Sequence, residues 1–195
     1  MVLSTTGSIV MSRINPLFES PPELHAIVDY IDIFSVIGFV SLGLVFINEV
    51  AWKWKILNWL VDIPNLNGRY TGELSSSYKD SNGMPVKKKI AIEISQNASA
   101  LHISAYSYDD ESGQTSAADS ILSEIVKEKN GFFKIYYIYA NDPATMQPEL
   151  RKHGGVTILK YHPEDKELEG EYYNQRGNQG VIKSIYIDRK LKGRY

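Results

Sequence analysis

The chain has 195 residues, of which 43% are hydrophobic and 23% charged; this excludes wholesale disorder and leaves room for one ordinary domain with an appendage. A net charge of −2 without a concentrated basic stripe excludes a general binder of nucleic-acid polymers. The absence of cysteine excludes disulfide scaffolds, thiolate metal sites and cysteine nucleophiles, and fits a domain facing a reducing cytosol.

In chain order, residues 1–28 hold only short apolar pieces, 7–11 and 15–18, and neither can span a bilayer. They read as a mobile or interfacial N-terminus that breaks at Pro21-Pro22. Residues 1–52 carry a charge of −4 and the remaining 143 residues carry +2. From Ile33 to Ile47 there is no charge over 15 residues, and extension to Trp52 gives 20 residues with the single acid Glu49. At about 1.5 Å per residue that length is roughly 30 Å, the thickness of a hydrocarbon core. The run has no polar face at helical period, which sets it apart from a buried amphipathic helix. Tyr30 lies at one end and Trp52, Trp54 and Trp59 at the other, as in an aromatic belt. Asp29 and Asp32 precede the run and Lys53 and Lys55 follow it. A transmembrane helix over about 31–54 is therefore expected, with its C-terminal side cytoplasmic. It starts too late, behind a segment too polar, for a cleaved signal peptide. Residues 1–62 thus form the N-terminal segment and span, and residues 63–195 a cytoplasmic domain.

After Asp62-Ile63-Pro64-Asn65 the pattern changes to period two. Eight strands are expected: Gly68–Tyr78, Lys87–Gln96, Ala100–Tyr108, Ala117–Lys127, Phe132–Ala140, Gly155–Tyr161, Glu167–Gln175 and Val181–Arg189. Most separators carry turn residues, such as Asn130-Gly131 and His162-Pro163-Glu164-Asp165. Ser120–Glu128 would also read as a short helix, and Asp142-Pro143 is placed like an N-cap followed by a first helical residue. Eight short strands without crossover helices predict an all-β, eight-stranded antiparallel up-and-down barrel of lipocalin-like form, carrying an N-terminal transmembrane α-helix. Such a barrel has an interior just wide enough for side chains or one small ligand, so its inward polar residues are informative.

Ile90, Ile92 and Ile94 share one face, as do Leu101, Ile103 and Ala105. Tyr70, Leu74, Ser76 and Tyr78 belong to the inner face of the first strand. For the fifth strand the inner set is either Phe133, Ile135, Tyr137 and Tyr139, or Phe132, Tyr136 and Ile138. On the seventh, Leu168 and Gly170 facing inward would carry Tyr172, Asn174 and Arg176 with them and leave Tyr173 and Gln175 outside. A tyrosine, an amide and a guanidinium at a barrel mouth can stack on a base, read a base edge and bind a phosphate. The same residues can also simply close a small barrel by packing.

Chemistry of other kinds is absent from the pattern. His25, His102, His153 and His162 lack metal-ligand spacing, and there is no nucleophile elbow, P-loop or dinucleotide fingerprint. His153 and His162 read as solvated turn residues, and Lys87-Lys88-Lys89 as a solvated strand start rather than a phosphate patch. No catalytic residue, metal site or cofactor is expected.

Three stretches carry a family likeness: WKWKILNWLVDIPNLNGRYTGELSSSY (52–78), IAIEISQNASALHISAYSYDDESGQTSAA (90–118) and LEGEYYNQRGNQGVIKSIYIDRK (168–190). Together they resemble the membrane-anchored β-barrel effectors of bacterial cyclic-oligonucleotide antiphage signalling (CBASS). The resemblance implies a receptor–effector in the bacterial inner membrane with its barrel in the cytoplasm. A cyclic di- or oligonucleotide made by a partner synthase would bind the barrel, and self-association and disruption of inner-membrane lipids would follow, killing or arresting the cell. It further implies ligand contacts at Tyr172, Asn174 and Arg176, with Tyr78 and Tyr106 as additional candidates. The family usually has two membrane helices where this sequence shows one span, so single-pass and two-pass topologies both stand. The alternatives are a membrane-tethered barrel that binds lipid or fatty acid, and a purely structural tethered adaptor.

Overall fold

The computed structural model of the chain describes residues 22–79, 82–111, 113–143 and 153–195. The chain divides into two compact units, Met1–Ala51 and Trp52–Tyr195. The expectations for residues 1–21 and for the connection over 144–152 fall outside the described residues.

In the first unit, helix α1 runs Pro22–Glu49. Proline suits a first helical turn, where its missing N–H has no partner to lose. Large apolar side chains are exposed all along its second half, including Ile37, Phe39, Leu42, Leu44 and Val45. Among the described residues, no helix is long and apolar enough to cross a membrane. The expected span over 31–54 also overruns the helix, because Ala51–Lys53 and Lys55–Leu57 are 3₁₀ turns.

The second unit holds eight strands: β1 (Gly68–Lys79), β2 (Pro85–Gln96), β3 (Leu101–Asp109), β4 (Gly113–Lys127), β5 (Phe133–Pro143), β6 (His153–His162), β7 (Glu167–Asn174) and β8 (Gln179–Asp188). Each pairs antiparallel with its sequence neighbours, and β8 pairs with β1, closing an eight-stranded barrel with no free edge.

At two places the structure decides between strand and helix, in favour of strand. Ser120–Lys127 lies in strand β4, and a register shift between Ser120 and Leu122 explains its mixed pattern. The irregularity leaves Ile121 and Leu122 both exposed, which interrupts strict alternation. Asp142 and Pro143 belong to strand β5, with Pro143 paired opposite Ser116, so Pro143 is a strand residue and not a first helical one. Proline is tolerated there because the strand ends at that residue and needs no further ladder donor.

Side chains fill one half of the barrel interior. Tyr70, Ile92, Ile94, Ile103, Ile135, Leu159 and Leu168 are each 2% exposed or less, and the Ser184 hydroxyl is enclosed among them. Leu66, just before β1, caps this end. Gln96 holds it there: its side-chain carbonyl accepts the Leu66 N–H at 2.9 Å and its amide donates to Pro64 O at 3.0 Å. The Tyr70 hydroxyl donates to Leu66 O at 3.1 Å, and burial pushes the Tyr70 phenol far above its ordinary range.

On the outer wall, Arg69 and Glu93 form an ion pair whose side chains are only 3% and 5% exposed. The C-terminal residues cover it. Glu93 accepts the N–H groups of Lys192 (2.7 Å) and Gly193 (3.0 Å), and Arg69 donates to Arg194 O at 2.7 Å. Tyr195 then stacks on Tyr108, ring centroids 4.5 Å apart.

Candidate ligand-binding cavity

The opposite half of the interior is hollow. A cavity of about 660 Å³ opens at the end where β1 meets β2, β3 meets β4, β5 meets β6 and β7 meets β8. That volume lies within the ~300–1,000 Å³ range of small-molecule sites.

Its wall follows from period-two alternation. Strand β1 contributes Leu74, Ser76 and Tyr78, and β2 contributes Val86, Lys88 and Ile90. Strand β3 contributes Ala105, Ser107 and Asp109; a register shift between Ser107 and Tyr108 then lets neighbouring Thr115 and Ser116 of β4 both reach the lining. The inner set on β5 is Ile135, Tyr137, Tyr139 and Asn141, which decides between the two alternatives left open above. Strands β6 and β7 add His153, Thr157, Tyr172 and Asn174, and the β7–β8 turn adds Arg176 and Asn178.

Four of the five residues singled out from the sequence meet in this cavity: Tyr78, Tyr172, Asn174 and Arg176. Tyr173 (43% exposed) and Gln175 face outward, the latter accepting the Gly154 N–H at 2.9 Å. Tyr106 stands elsewhere. It shares the parity of Ser104 and Tyr108, lies outside the cavity lining, and senses the charges of Glu93 and Arg69 on the outer wall.

Two aromatic rings owe their positions to glycines across the strand. Tyr172 pairs with Gly180 and Tyr139 with Gly155. A Cβ at Gly180 would lie 2.5 Å from the Tyr172 ring and 2.2 Å from Ser75 O; one at Gly155 would lie 2.3 Å from the Tyr139 hydroxyl. The rings therefore lie over bare backbone, and the Tyr172 hydroxyl donates to Ser76 Oγ at 2.8 Å. Gly180→Ala is expected to force apart β1, β8 and the Tyr172 ring, costing about 1–3 kcal/mol of stability in urea denaturation. A loss below a few tenths of a kcal/mol would show that the barrel accommodates the added methyl group.

The polar groups are poised in distinct ways. Burial raises the Tyr172 and Tyr139 phenols and pushes Tyr137 up to about 12, so all three keep their O–H at neutral pH. The Asn174 carbonyl accepts two backbone N–H groups, from Arg176 and from Asn178, each at 3.0 Å. These two donors fix the amide orientation and leave its NH₂ as the group to offer a ligand.

Lys88 is the cation that the sequence reading missed. The basic run splits by parity, with Lys87 and Lys89 exposed outside and Lys88 in the cavity, its Nζ donating to Thr115 Oγ1 at 3.2 Å. Desolvation lowers its pKa, and the nearby Asp109 carboxylate partly opposes this. The signal was present, since Lys88 has the parity of Ile90, Ile92 and Ile94. His153 lines the same wall, although its turn position read as solvated. Outside the cavity, His162, Glu167 and Glu169 bring potential metal-ligating atoms together, but Glu167 is paired with Lys183 at 3.1 Å.

A closed barrel that is solid at one end and hollowed at the other into a cavity of tyrosines, amides, two cations and a carboxylate has the form of a receptor for a small polar ligand. The family of the Cap15 cyclic dinucleotide receptor domain matches residues 61–184, nearly the whole barrel, and the chain belongs to this CBASS effector family. It therefore carries a receptor domain for a cyclic-nucleotide second messenger. A search of curated proteins finds no match to the chain.

Proposed function

We propose that this protein is a membrane-associated receptor–effector of bacterial antiphage defence, which binds a cyclic dinucleotide inside a single barrel and answers by self-associating and disrupting the inner membrane. The observation that carries the reading is the pairing of cationic Lys88 and Arg176 with four cavity tyrosines in the half-hollow barrel of the matched family. A cyclic dinucleotide brings two phosphates for the cations and two bases for the aromatic faces and hydroxyls. In this reading the ligand is bound and not turned over, and its synthase is a separate partner. The barrel lies in the cytoplasm and α1 supplies the membrane contact. The uncharged run Ile33–Ile47 and its exposed large apolar side chains support that role.

A tethered lipid-binding barrel fits less well, because an acyl chain would have to lie against Lys88, Asp109 and several hydroxyls. Calorimetry of the full chain in detergent against a panel of cyclic dinucleotides tests the receptor reading. At least one is expected to bind, and Arg176→Ala is expected to weaken it roughly tenfold or more through loss of a charge-assisted contact. No binding by any member, or an unaffected Arg176→Ala variant, would sink it. Dye release from vesicles on ligand addition, together with a shift in sedimentation, tests the effector half.

A further inference from the structure

We propose that Asp109 reads a guanine, so that the ligand of this cavity is a cyclic dinucleotide with at least one guanine base; the inference rests on the receptor reading above. Among the described residues, Asp109 is the only carboxylate in the cavity lining. A carboxylate repels a ligand carrying two phosphates, so its place in the wall calls for donors on the ligand that offset the repulsion. Asp109 is also oriented. Its Oδ1 accepts the Glu111 N–H at 2.9 Å, and an ionised carboxylate still has acceptor sites on both oxygens.

Nucleobases differ sharply in what they offer such a group. Guanine presents two adjacent donors on its Watson–Crick edge, N1–H and the N2 amine, which match the two oxygens of one carboxylate. Adenine and cytosine each place an acceptor nitrogen beside their single amine, and that acceptor faces the carboxylate repulsively. Uracil has one N–H flanked by carbonyls. Only guanine accepts the bidentate contact, and a good bidentate pair discriminates strongly between bases. The surrounding wall of Ser107, Thr115 and Ser116 supplies hydroxyls and no second negative charge.

The test is calorimetry of the full chain in detergent with cyclic di-GMP, mixed cyclic GMP–AMP, cyclic di-AMP and the inosine analogue of cyclic di-GMP, which lacks the N2 amine. The two guanine ligands are expected to bind about tenfold or more tighter than cyclic di-AMP, with the inosine analogue in between. Asp109→Asn keeps the acceptor for the Glu111 N–H, so the unliganded melting temperature should hold while the guanine preference collapses. Asp109→Ser also keeps an acceptor and gives the same readout if the amide variant fails to fold. Asp109 acting only as a charge near Lys88 would make either substitution strengthen all ligands alike, and that result overturns the proposal. Cyclic di-AMP binding as well as cyclic di-GMP to the unaltered chain overturns it too. Failure of every cyclic dinucleotide to bind overturns the receptor reading itself, and this inference with it.

Discussion

Lys88→Met is expected to raise the melting temperature of the unliganded chain by a few degrees while weakening cyclic-dinucleotide binding roughly 10- to 100-fold. Both effects have one origin. Lys88 holds an ammonium in a partly desolvated wall, where burial lowers its pKa from the ordinary 10.5. The unfolded chain therefore holds that proton more tightly than the folded one. The stability Lys88 contributes is present above pH 10.5 and lost as pH falls through its lowered value, so at neutral pH the charge counts against folding. A bound dianion reverses the balance by favouring the ammonium. Affinity should accordingly fall as pH rises through the alkaline window below 10.5, and this dependence should vanish in Lys88→Met. Calorimetry from pH 7 upward, with melting curves of both proteins, checks the pair of effects. A variant that binds normally would show that Lys88 is only a tolerated burial.

Glu93→Ala is expected to cost about 3–5 kcal/mol in chemical denaturation, a large share of the ~5–15 kcal/mol that holds a typical domain together. The substitution strands the Arg69 guanidinium, 3% exposed, and also removes the acceptor of the Lys192 and Gly193 N–H groups. The C-terminal residues over this wall should then detach. Trypsin, with Lys190, Lys192 and Arg194 as cleavage points, should clip the variant faster than the unaltered chain. In Arg69→Met/Glu93→Leu much of the lost stability should return, because two apolar side chains need no counter-charge. The tail should still detach, since its N–H acceptors remain missing. A loss below 1 kcal/mol in Glu93→Ala would mean that water reaches the pair.

The two substitutions act at sites that were legible to different degrees. The mouth residues Tyr172, Asn174 and Arg176 were accessible from the alternation of β7 alone, anchored on Leu168 and Gly170. Tyr106 was nominated by family likeness, and it lies on the opposite face from Leu101, Ile103 and Ala105. The structure sets it on the outer wall beside Arg69 and Glu93. Lys88 and Asp109 continue the parity of Ile90 and Ile103, but a charged residue at a strand end more often belongs to a solvated turn. Parity puts Lys88 on the face of Ile90, but it does not tell that this face borders a hollow at the strand's end.

By itself the sequence determined the eight strands, their order and the inward faces of β1 and β7, because period-two burial and turn chemistry are properties of neighbouring residues. The tertiary structure alone decided the rest. Packing of Leu66 and Tyr70 left one half of the barrel solid and the other hollow. The C-terminal residues turned an outward Glu93 into a buried one. Register chose between the two faces of β5, and glycines at 155 and 180 laid two tyrosine rings against the cavity wall. These outcomes join residues as distant in the chain as Glu93 and Gly193 or Ser75 and Gly180, and no local periodicity encodes which distant backbone will lie against a given side chain.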